Sequence, residues 1–407
     1  MISTKRDLRT DVLAAVERLR GGVLRTPTDR SRALSQLIEG EVFCKLDTRQ
    51  VTGSFKERGA LNALLLLTDE QRRRGVVTMS AGNHAQSVAY HAARLGIRSV
   101  VVMSDGTPFL KVRRTRDYGA EVVLHGATFE AASQYAHELV ERTGATLIHP
   151  YDDFNVIAGQ ATATLELLED ARTDLDAILV PVGGGGLIAG AVLAVEAFGS
   201  KAEVIGVQTE FYPSLHAELK GETALIGGVT IAEGIAVEAV GRIPLSIVRG
   251  AVREVLLVSE PAIESAIAFL LEEEKLVAEG AGAAGVAALC SNVERFRGKR
   301  VGTLLCGGNI DLGMLASVIV RSRMRAGRVV RIRVTIVDKP GQLVAVATAV
   351  NDARANVLDV AHHRLFGSVP AKYAELDLTC DLERPEDIDA ILANIAERGY
   401  EAQVITG

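Results

Sequence analysis

The sequence predicts an α/β protein built on open parallel sheets and followed by a smaller α+β domain. Its 407 residues are 48% hydrophobic but only 4% aromatic, with no Trp. A core of aliphatic side chains suits parallel strands that helices cover on both faces. From residue 40 to about 310, short β-rich runs alternate with amphipathic helical segments, as in β-α-β units. A chain of this length exceeds one ordinary core, so we expect two or three domains.

Short runs rich in Val, Ile and Leu are the predicted strands of the parallel sheet. Between them, apolar residues recur at helical spacing, as Ala85, Val88, Ala89, Ala92 and Leu95 do. This alternation predicts an open sheet divided into two lobes. The predicted strands are residues 76–79, 99–103, 121–124, 146–149, 178–182, 204–207, 255–258 and 301–305.

A change of pattern near residue 320 predicts a second domain. Arg321, Arg323, Arg325 and Arg328 lie close together in the sequence, with Gly327 among them. We interpret residues 321–327 as a solvated linker, because a nucleic-acid-binding arm fits an acidic protein poorly. The first domain is then 1–320, and the second is 328–407. The second is predicted as a ferredoxin-like sandwich, with strands at 329–337, 357–365, 373–382 and 401–405 and helices at 342–351 and 386–398.

Charge and cysteine usage predict a cytoplasmic protein without nucleic-acid or membrane partners. The net charge of −6 provides no basic surface for nucleic acid or an anionic membrane. The four cysteines include no C-x-x-C pair, which favours reduced thiols. Residues 1–20 lack the apolar segment of a secretory signal. Residues 177–195 carry no charge, but four glycines and Pro181 interrupt them, so we expect a strand, a loop and a buried helix there rather than a membrane span.

Lys56 stands at the start of a predicted helix and is the candidate catalytic residue. It ends the run Thr-Gly-Ser-Phe-Lys, and an apolar run follows. Ser54 and Glu57 have the S-x-x-E spacing of a capping box, which predicts Ser54 as the N-cap. The positive end of the helix dipole disfavours an ammonium group, so we expect Lys56 to deprotonate readily, as an amine that condenses with a carbonyl must. A surface lysine beside a helix start is the alternative.

Two glycine-containing turns follow predicted strands, where an α/β fold places its ligands. The first turn consists of Ser80, Ala81, Gly82, Asn83 and His84. We expect its backbone N–H groups to bind an anion such as the carboxylate of an amino acid. A tight strand-to-helix turn without a ligand is the alternative. The second predicts a phosphate cradle, because consecutive glycines let several N–H groups converge. It lacks the G-K-[ST] and G-x-G-x-x-G patterns of nucleotide sites, and it consists of Gly183, Gly184, Gly185, Gly186 and Leu187.

A third predicted strand runs into Cys306, Gly307, Gly308 and Asn309. A thiol there could donate weakly to a ring nitrogen, although a buried small apolar residue is the commoner fate of a free cysteine. A reactive lysine, a phosphate cradle, an amide donor and a partner for a pyridine nitrogen are together what pyridoxal 5′-phosphate requires. The sequence therefore predicts this cofactor.

In this order the motifs resemble those of the threonine dehydratases, or threonine ammonia-lyases. These are pyridoxal phosphate enzymes of the tryptophan-synthase-β-like class, with the two-lobed open parallel-sheet fold called fold type II. The resemblance covers residues 20–320 and includes the Glu-Gly-Ala-Gly run that begins at Glu279. Residues 328–407, with the Asp-Lys-Pro-Gly-Gln-Leu run that begins at Asp338, resemble a regulatory ACT domain.

The resemblance implies a role for each candidate residue. Lys56 would attach the cofactor covalently, Phe55 would pack on its ring, and Asn83 would donate to the 3′-oxygen. The glycine loop through Leu187 would bind the phosphate, and Cys306 would lie at the pyridine nitrogen. The turn from Ser80 to His84 would bind the substrate.

The reaction implied is conversion of L-threonine to 2-oxobutanoate and ammonia, and of L-serine to pyruvate. Related serine racemases carry a serine as a second base where this chain has Ala81, so racemisation is not expected as the main activity. No metal is expected, since His216 stands where relatives have an acidic ligand near Glu210. A dehydratase for another β-hydroxy amino acid, such as serine or 3-hydroxyaspartate, and a non-catalytic amino-acid sensor are the alternatives.

ACT-like domains pair across subunits, so the resemblance also implies a homodimer or homotetramer. An amino-acid effector would bind at the pairing interface, near Gly341 and Asn356.

Overall fold

The computed structural model describes residues 8–364 and 369–405, and the chain divides into two compact units, Met1–Ile310 and Asp311–Gly407. In the first unit, short 3₁₀ turns occur at Asp47–Arg49 and Glu233–Ile235. The α-helices of this unit are Leu8–Leu19 (α1), Arg32–Leu37 (α2), Lys56–Leu65 (α3), Asp69–Arg74 (α4), Asn83–Arg94 (α5), Phe109–Asp117 (α6), Phe129–Thr143 (α7), Phe154–Ala171 (α8), Gly186–Phe198 (α9), Ser214–Lys220 (α10), Arg242–Val248 (α11), Glu260–Glu272 (α12), Gly280–Ser291 (α13) and Val293–Phe296 (α14).

The larger lobe of the first unit is a six-stranded sheet. Its strands pair in parallel except at one edge, where Thr28–Ser31 is antiparallel to Glu41–Lys45. Because the carboxyl ends of neighbouring parallel strands meet at one edge of the sheet, the loops after Pro181 and Leu304 lie side by side. In spatial order the strands are Thr28–Ser31 (β1), Glu41–Lys45 (β2), Arg300–Leu304 (β10), Ala177–Pro181 (β7), Glu203–Thr209 (β8) and Val255–Val258 (β9).

The smaller lobe is a four-stranded parallel sheet. Buried aliphatic clusters cover both of its faces, as the low aromatic content predicts. In the larger lobe, α8 and α9 pack against each other, and α9 is buried on all sides from Gly186 to Ala194, as expected for a helix without a polar face. The strands of the smaller sheet, in spatial order, are Glu121–Leu124 (β5), Ser99–Met103 (β4), Val76–Met79 (β3) and Thr146–Leu147 (β6).

The second unit is an antiparallel sheet with helices packed on one face. Its spatial order is that of the ferredoxin-like sandwich, so the predicted fold of this domain is confirmed. Alternate residues of the central strands, among them Ile332 and Leu376, form an apolar core with the helices. The strands in spatial order are Asn356–His363 (β12), Tyr373–Asp381 (β13), Val329–Val337 (β11) and Glu401–Ile405 (β14), and the helices are Leu312–Arg325 (α15), Gln342–Asp352 (α16) and Asp387–Glu397 (α17).

Every predicted strand of the two parallel sheets is present, with its ends within two residues of the predicted ones. Two strands, β1 and β2, were not predicted. β1 was missed because the polar run Thr28–Ser31 lacks an aliphatic pattern and pairs only at the sheet edge. Residues 177–195 form a strand, a loop and a buried helix, as predicted. Among residues 8–364 and 369–405, no helix has the length and apolar character that crossing a membrane requires.

The segment predicted as a linker, residues 321–327, is mostly helical. α15 continues to Arg325 because Val318 is buried and the helix packs on β11, while Arg323 forms an ion pair with Asp381. The arginine-rich composition therefore marks a charged helix end rather than an extended hinge. Leu365, the predicted end of one strand, lies outside the described residues.

A buried ion-pair network fixes the helix that begins with Lys56. The Arg58 guanidinium, fully buried, donates to both oxygens of Asp47, at 2.7 and 2.9 Å, and to both oxygens of Glu166, at 2.8 and 2.9 Å. Lys45, also fully buried, lies 2.7 Å from Glu166. Asp47 accepts a further hydrogen bond from Thr26 at 2.6 Å. Because α3, α8, β2 and the turn after β2 all contribute, the network joins the elements that surround Lys56.

Asp47→Ala should destabilise the protein by about 3 kcal/mol, because it leaves the buried Arg58 guanidinium without one of its two carboxylates. The control is Glu218→Ala, which removes an exposed ion pair with Arg249 and should cost less than about 1 kcal/mol. Urea-induced unfolding followed by circular dichroism measures both losses. A loss for Asp47→Ala no larger than that of the control would contradict this interpretation.

Candidate active site

Several of the predicted site segments meet at the carboxyl edge of the larger sheet. The loop before α3 is hydrogen-bonded to the loop after β10: Phe55 N donates to Cys306 O, and Gly308 N donates to Gly53 O, both at 2.9 Å. Ser54 and Gly307 form an isolated antiparallel bridge between these loops. The turn after β3 joins them through Asn83, whose side chain contacts Asn309 and Glu279. Lys56, Asn83 and Cys306 are therefore brought together, as predicted.

The predicted capping box is wrong. α3 begins at Lys56 with Phe55 in the N-cap position, and the Ser54 hydroxyl is buried with no hydrogen-bond partner among the described residues. The Glu57 carboxylate instead accepts from Thr52 N and lies 3.1 Å from His91 Nε2. Because both oxygens of the Glu57 carboxylate have buried partners, this carboxylate does not bond to the backbone N–H of Ser54, as a capping box would require. Lys56 is therefore the first helical residue, whereas an N-cap at Ser54 would have made it the second.

The Lys56 amine is held with a lowered pKa. Its Nζ donates to Pro150 O at 2.8 Å, and it lies 5.1 Å from the centre of the Phe55 ring. Burial lowers the pKa of Lys56 to about 8, while the nearby Cys306 and Glu279 act in the opposite direction. A substantial fraction of this amine is therefore neutral near physiological pH, as a carbonyl-condensing amine must be. The sequence predicted this shift from the helix dipole, whereas desolvation is the main cause in the structure.

The glycine loop lies between β7 and α9, and its glycines are required by close neighbours. A Cβ on Gly184 would lie 2.3 Å from the Tyr151 ring, and Gly185 has a left-handed backbone with φ +91°. The N-cap of α9 makes no side-chain hydrogen bond. Within the described part of the chain, the backbone N–H groups of residues 183–188 have no acceptor. N–H groups without an acceptor at the positive end of a helix are suited to binding an anion. The Leu187 side chain packs into the core, so its backbone alone faces this site.

In the turn from Ser80 to His84, the first four residues are partly exposed, whereas the His84 side chain is buried in the core. Ser80 Oγ accepts a hydrogen bond from Gly82 N at 3.2 Å, and Ala81 is half-buried. The His84 ring, by contrast, is only 2% exposed, with Nε2 3.0 Å from Ile148 O. Burial lowers the pKa of His84 to about 3, so this imidazole stays neutral. The side chain of His84, which was predicted to bind substrate, therefore points into the protein core.

Cys306 is buried in the loop that follows β10. Its thiol donates to Ala281 O at 3.6 Å, and burial raises its pKa, so the group remains a neutral thiol. A weak neutral donor is what the sequence predicted at this position. His216 was also singled out in the sequence, as the residue in place of an acidic metal ligand. Its Nδ1 lies 2.8 Å from the backbone oxygen of Val255.

Two polar residues of the site received no role from the sequence. Glu279 Oε1 accepts from Asn83 Nδ2 at 2.7 Å, and Asn309 Nδ2 donates to Asn83 Oδ1 at 2.8 Å. Burial raises the pKa of Glu279 to about 7, although the Asn83 hydrogen bond and the charge of Lys111 oppose the rise. Both residues adjoin glycines near the carboxyl edge of the sheet, and this placement was the one sequence feature that could have indicated a role in the site. Their contacts with Asn83 could not be predicted, because both residues are far from Asn83 in the sequence.

The lowered pKa of Lys56 should be visible in its reactivity. In cofactor-free protein, acetylation of Lys56 should follow a titration with a midpoint near pH 8, against 10.5 for an ordinary lysine, because the neutral amine is the reactive form. Peptide mass spectrometry at graded pH gives the titration curve, with the exposed Lys201 as the internal comparison. A Lys56 midpoint at or above that of Lys201 would contradict the burial argument.

Comparison with known proteins agrees with this site. The family model described as pyridoxal-phosphate dependent enzyme matches residues 19–307. The L-threonine ammonia-lyase of Thermotoga maritima is 42% identical over 97% of this chain and 98% of its own length. The L-threonine dehydratase catabolic TdcB of Escherichia coli (strain K12) is 43% identical over 76% of this chain and 94% of its own length.

Solved structures give the same result. The processed form of threonine deaminase isoform 2 from Solanum lycopersicum superposes with a TM-score of 0.72 at 31% identity, covering 78% of this chain and 88% of that one. The serine racemase of Dictyostelium discoideum superposes with a TM-score of 0.70 at 34% identity, covering 75% and 99%. The predicted two-lobed fold, the predicted cofactor and the resemblance to threonine dehydratases are thereby confirmed. The chain belongs to the family of pyridoxal-phosphate dependent enzymes.

Proposed function

We propose that this protein is an L-threonine ammonia-lyase that converts L-threonine to 2-oxobutanoate and ammonia, and L-serine to pyruvate. The observation that carries the proposal is a lysine of lowered pKa, Lys56, in one site with a glycine anion cradle and a neutral thiol. The L-threonine ammonia-lyase of Thermotoga maritima, which matches over nearly the whole chain, supports this substrate. Four free thiols support a reducing, cytoplasmic location.

The described residues fit pyridoxal phosphate. The N–H groups of residues 183–188 lack protein acceptors, so they are available to a phosphate, and the Tyr151 ring fills the space that a side chain on Gly184 would need. Lys56 provides the amine, Asn83 an amide donor, and Cys306 a neutral hydrogen-bonding group. The bound cofactor supplies an aldehyde for covalent attachment and an aromatic ring that withdraws electrons.

Each protein group then has a defined task. Lys56 Nζ is neutral often enough to attack a carbonyl carbon, and once free again it is the base that accepts the Cα proton of the substrate. The neutral Cys306 thiol brings no negative charge to its position, unlike a carboxylate. Ala81 offers no second acid or base in the turn after β3, which favours elimination over racemisation. His84 stays neutral in the core and takes no part in proton transfer.

The function is tested by incubating the purified, cofactor-loaded protein with L-threonine, L-serine and 3-hydroxyaspartate and following release of 2-oxo acid and ammonia. L-threonine should give 2-oxobutanoate. Lys56→Ala should lower this turnover by more than about tenfold, because both the covalent anchor and the base are lost. Lys201→Ala, which removes an exposed lysine, should not change it.

Retention of turnover in Lys56→Ala would rule out the assigned role of this lysine. If 3-hydroxyaspartate alone were consumed, the protein would be a dehydratase of a different β-hydroxy amino acid. An absence of turnover with every substrate would favour a non-catalytic amino-acid sensor.

We also propose that residues 328–407 form a regulatory ACT-like domain and that the protein is a homodimer or homotetramer. The ferredoxin-like strand order supports the first part. Gly341, with φ +91°, precedes α16, and Asn356 is the first residue of β12. Each of the two predicted regulatory residues therefore lies at the start of a helix or a strand of this domain. A small molecule at such turns could bind two arrangements of the domain unequally.

Deleting residues 328–407 should leave a cofactor-binding enzyme that no longer responds to an amino-acid effector. Titration of full-length and truncated protein with isoleucine and valine, while turnover is followed, measures the coupling. A typical coupling would change substrate affinity about five- to 150-fold in the full-length protein only. Identical responses from the two proteins, or no response from either to any common amino acid, would make the domain an assembly module instead.

A further inference from the structure

Asn83 lies in a chain of side-chain hydrogen bonds that has a direction. Asn309 Nδ2 donates to the backbone oxygen of Thr52 at 2.7 Å and to Asn83 Oδ1 at 2.8 Å. Asn83 Nδ2 in turn donates to Glu279 Oε1 at 2.7 Å. Glu279 also accepts from the backbone N–H of Asn309, which closes the chain on itself.

The two ends of this chain fix which way the Asn83 amide faces. The Thr52 carbonyl can only accept, so the Asn309 amide must turn its nitrogen toward it, and the same nitrogen meets Asn83. The Thr52 end therefore fixes the Asn83 orientation by itself. At the other end, Glu279 in its ionised form can only accept, so it requires the Asn83 nitrogen as well. A flipped Asn83 amide would place a nitrogen against the Asn309 nitrogen and an oxygen against the carboxylate. Both contacts would then be repulsive.

Neither Glu279 nor Asn83 is used as an ordinary helix cap. Glu279 occupies the N-cap position of α13, yet its side chain makes no capping hydrogen bond. Asn83 is the first residue of α5, and that helix start also has no side-chain cap. The backbone makes room for their contact: a Cβ on Gly307 would lie 2.2 Å from Glu279 Oε1 and 3.1 Å from Asn83 Nδ2.

The Asn83 amide nitrogen has two hydrogens, and Glu279 takes one of them. For the second, the described residues offer no acceptor. We propose that Glu279 and Asn309 are positioning residues that lock the Asn83 carboxamide in one orientation, so that its free N–H is presented to an oxygen of the cofactor. This inference rests on the proposed function and deepens it, because it assigns a role to two residues that touch Asn83 rather than to Asn83 itself.

The consequence is that most of the effect of Glu279 on cofactor binding should pass through Asn83, and a smaller part through its charge near Lys56. Glu279→Gln keeps the size of the side chain but removes the charge and leaves one acceptor oxygen in place of two, so the Asn83 amide is held less firmly, by Asn309 and by a weaker acceptor. Asn83→Ala removes the group that is positioned. The control is Glu233→Gln, which removes a neighbouring carboxylate that is 71% exposed and paired with Lys111 rather than with Asn83.

The test is a double-mutant cycle on the apparent Kd for pyridoxal phosphate, measured from the visible absorbance of the titrated apoprotein. Glu279→Gln should weaken binding about tenfold in the wild-type background and less than about twofold in the Asn83→Ala background. Glu233→Gln should leave the Kd unchanged. Equal effects of Glu279→Gln in both backgrounds would overturn the inference, since a purely structural carboxylate would act without Asn83.

If Glu279→Gln does not fold, as judged by circular dichroism, Asn309→Ala replaces it in the same cycle with the same expected pattern. Failure of the proposed function has a different signature. In that case the wild type and Glu233→Gln would themselves bind no pyridoxal phosphate and release no 2-oxo acid. A wild type that binds and turns over, combined with an additive cycle, contradicts the positioning role alone.

Discussion

The arrangement of the site depends on one buried cation, Arg58. Its guanidinium bridges Asp47, which follows β2, and Glu166, which lies on α8. A buried charge is tolerated only when it is fully paired, so these contacts leave little freedom for the backbone of α3. Lys56 lies two residues before Arg58 on the same helix. The position of α3, and with it the backbone of Lys56, is thus set by charge pairing in the interior of the protein, while the hydrogen bond to Pro150 O holds the amine itself.

Desolvation alters the ionisation of Lys56 and of the groups around it. Desolvation lowers the pKa of the Lys56 amine and raises that of the Cys306 thiol, so the thiol is neutral and a substantial fraction of the amine is neutral as well. Glu279 is the carboxylate in contact with Asn83, and its raised pKa shows the same desolvation. A site with few formal charges of its own suits a cofactor that brings a phosphate, because the phosphate can be bound by backbone N–H groups at the start of α9.

Much of this could be predicted from the sequence, and the failures have physical causes. The parallel strands and the glycine loop follow from local patterns, since aliphatic runs and consecutive glycines have few alternatives. The capping box failed because Glu57 finds its partners in His91 and Thr52, and only the folded chain brings His91 near. The contact of Glu279 with Asn83 spans 196 residues of sequence, so no local pattern could predict it. β1 was missed because a polar edge strand is defined by its neighbour and not by its own composition.

The central claim is that Lys56 is the residue that carries the cofactor. Borohydride reduction of the pyridoxal-phosphate-loaded protein, followed by proteolysis and mass spectrometry, fixes the cofactor permanently to its lysine. The mass of the reduced cofactor should be found on the peptide that contains Lys56 and on no other. Its presence on a different lysine, such as the buried Lys45, or its absence from every peptide, would contradict the assignment of Lys56.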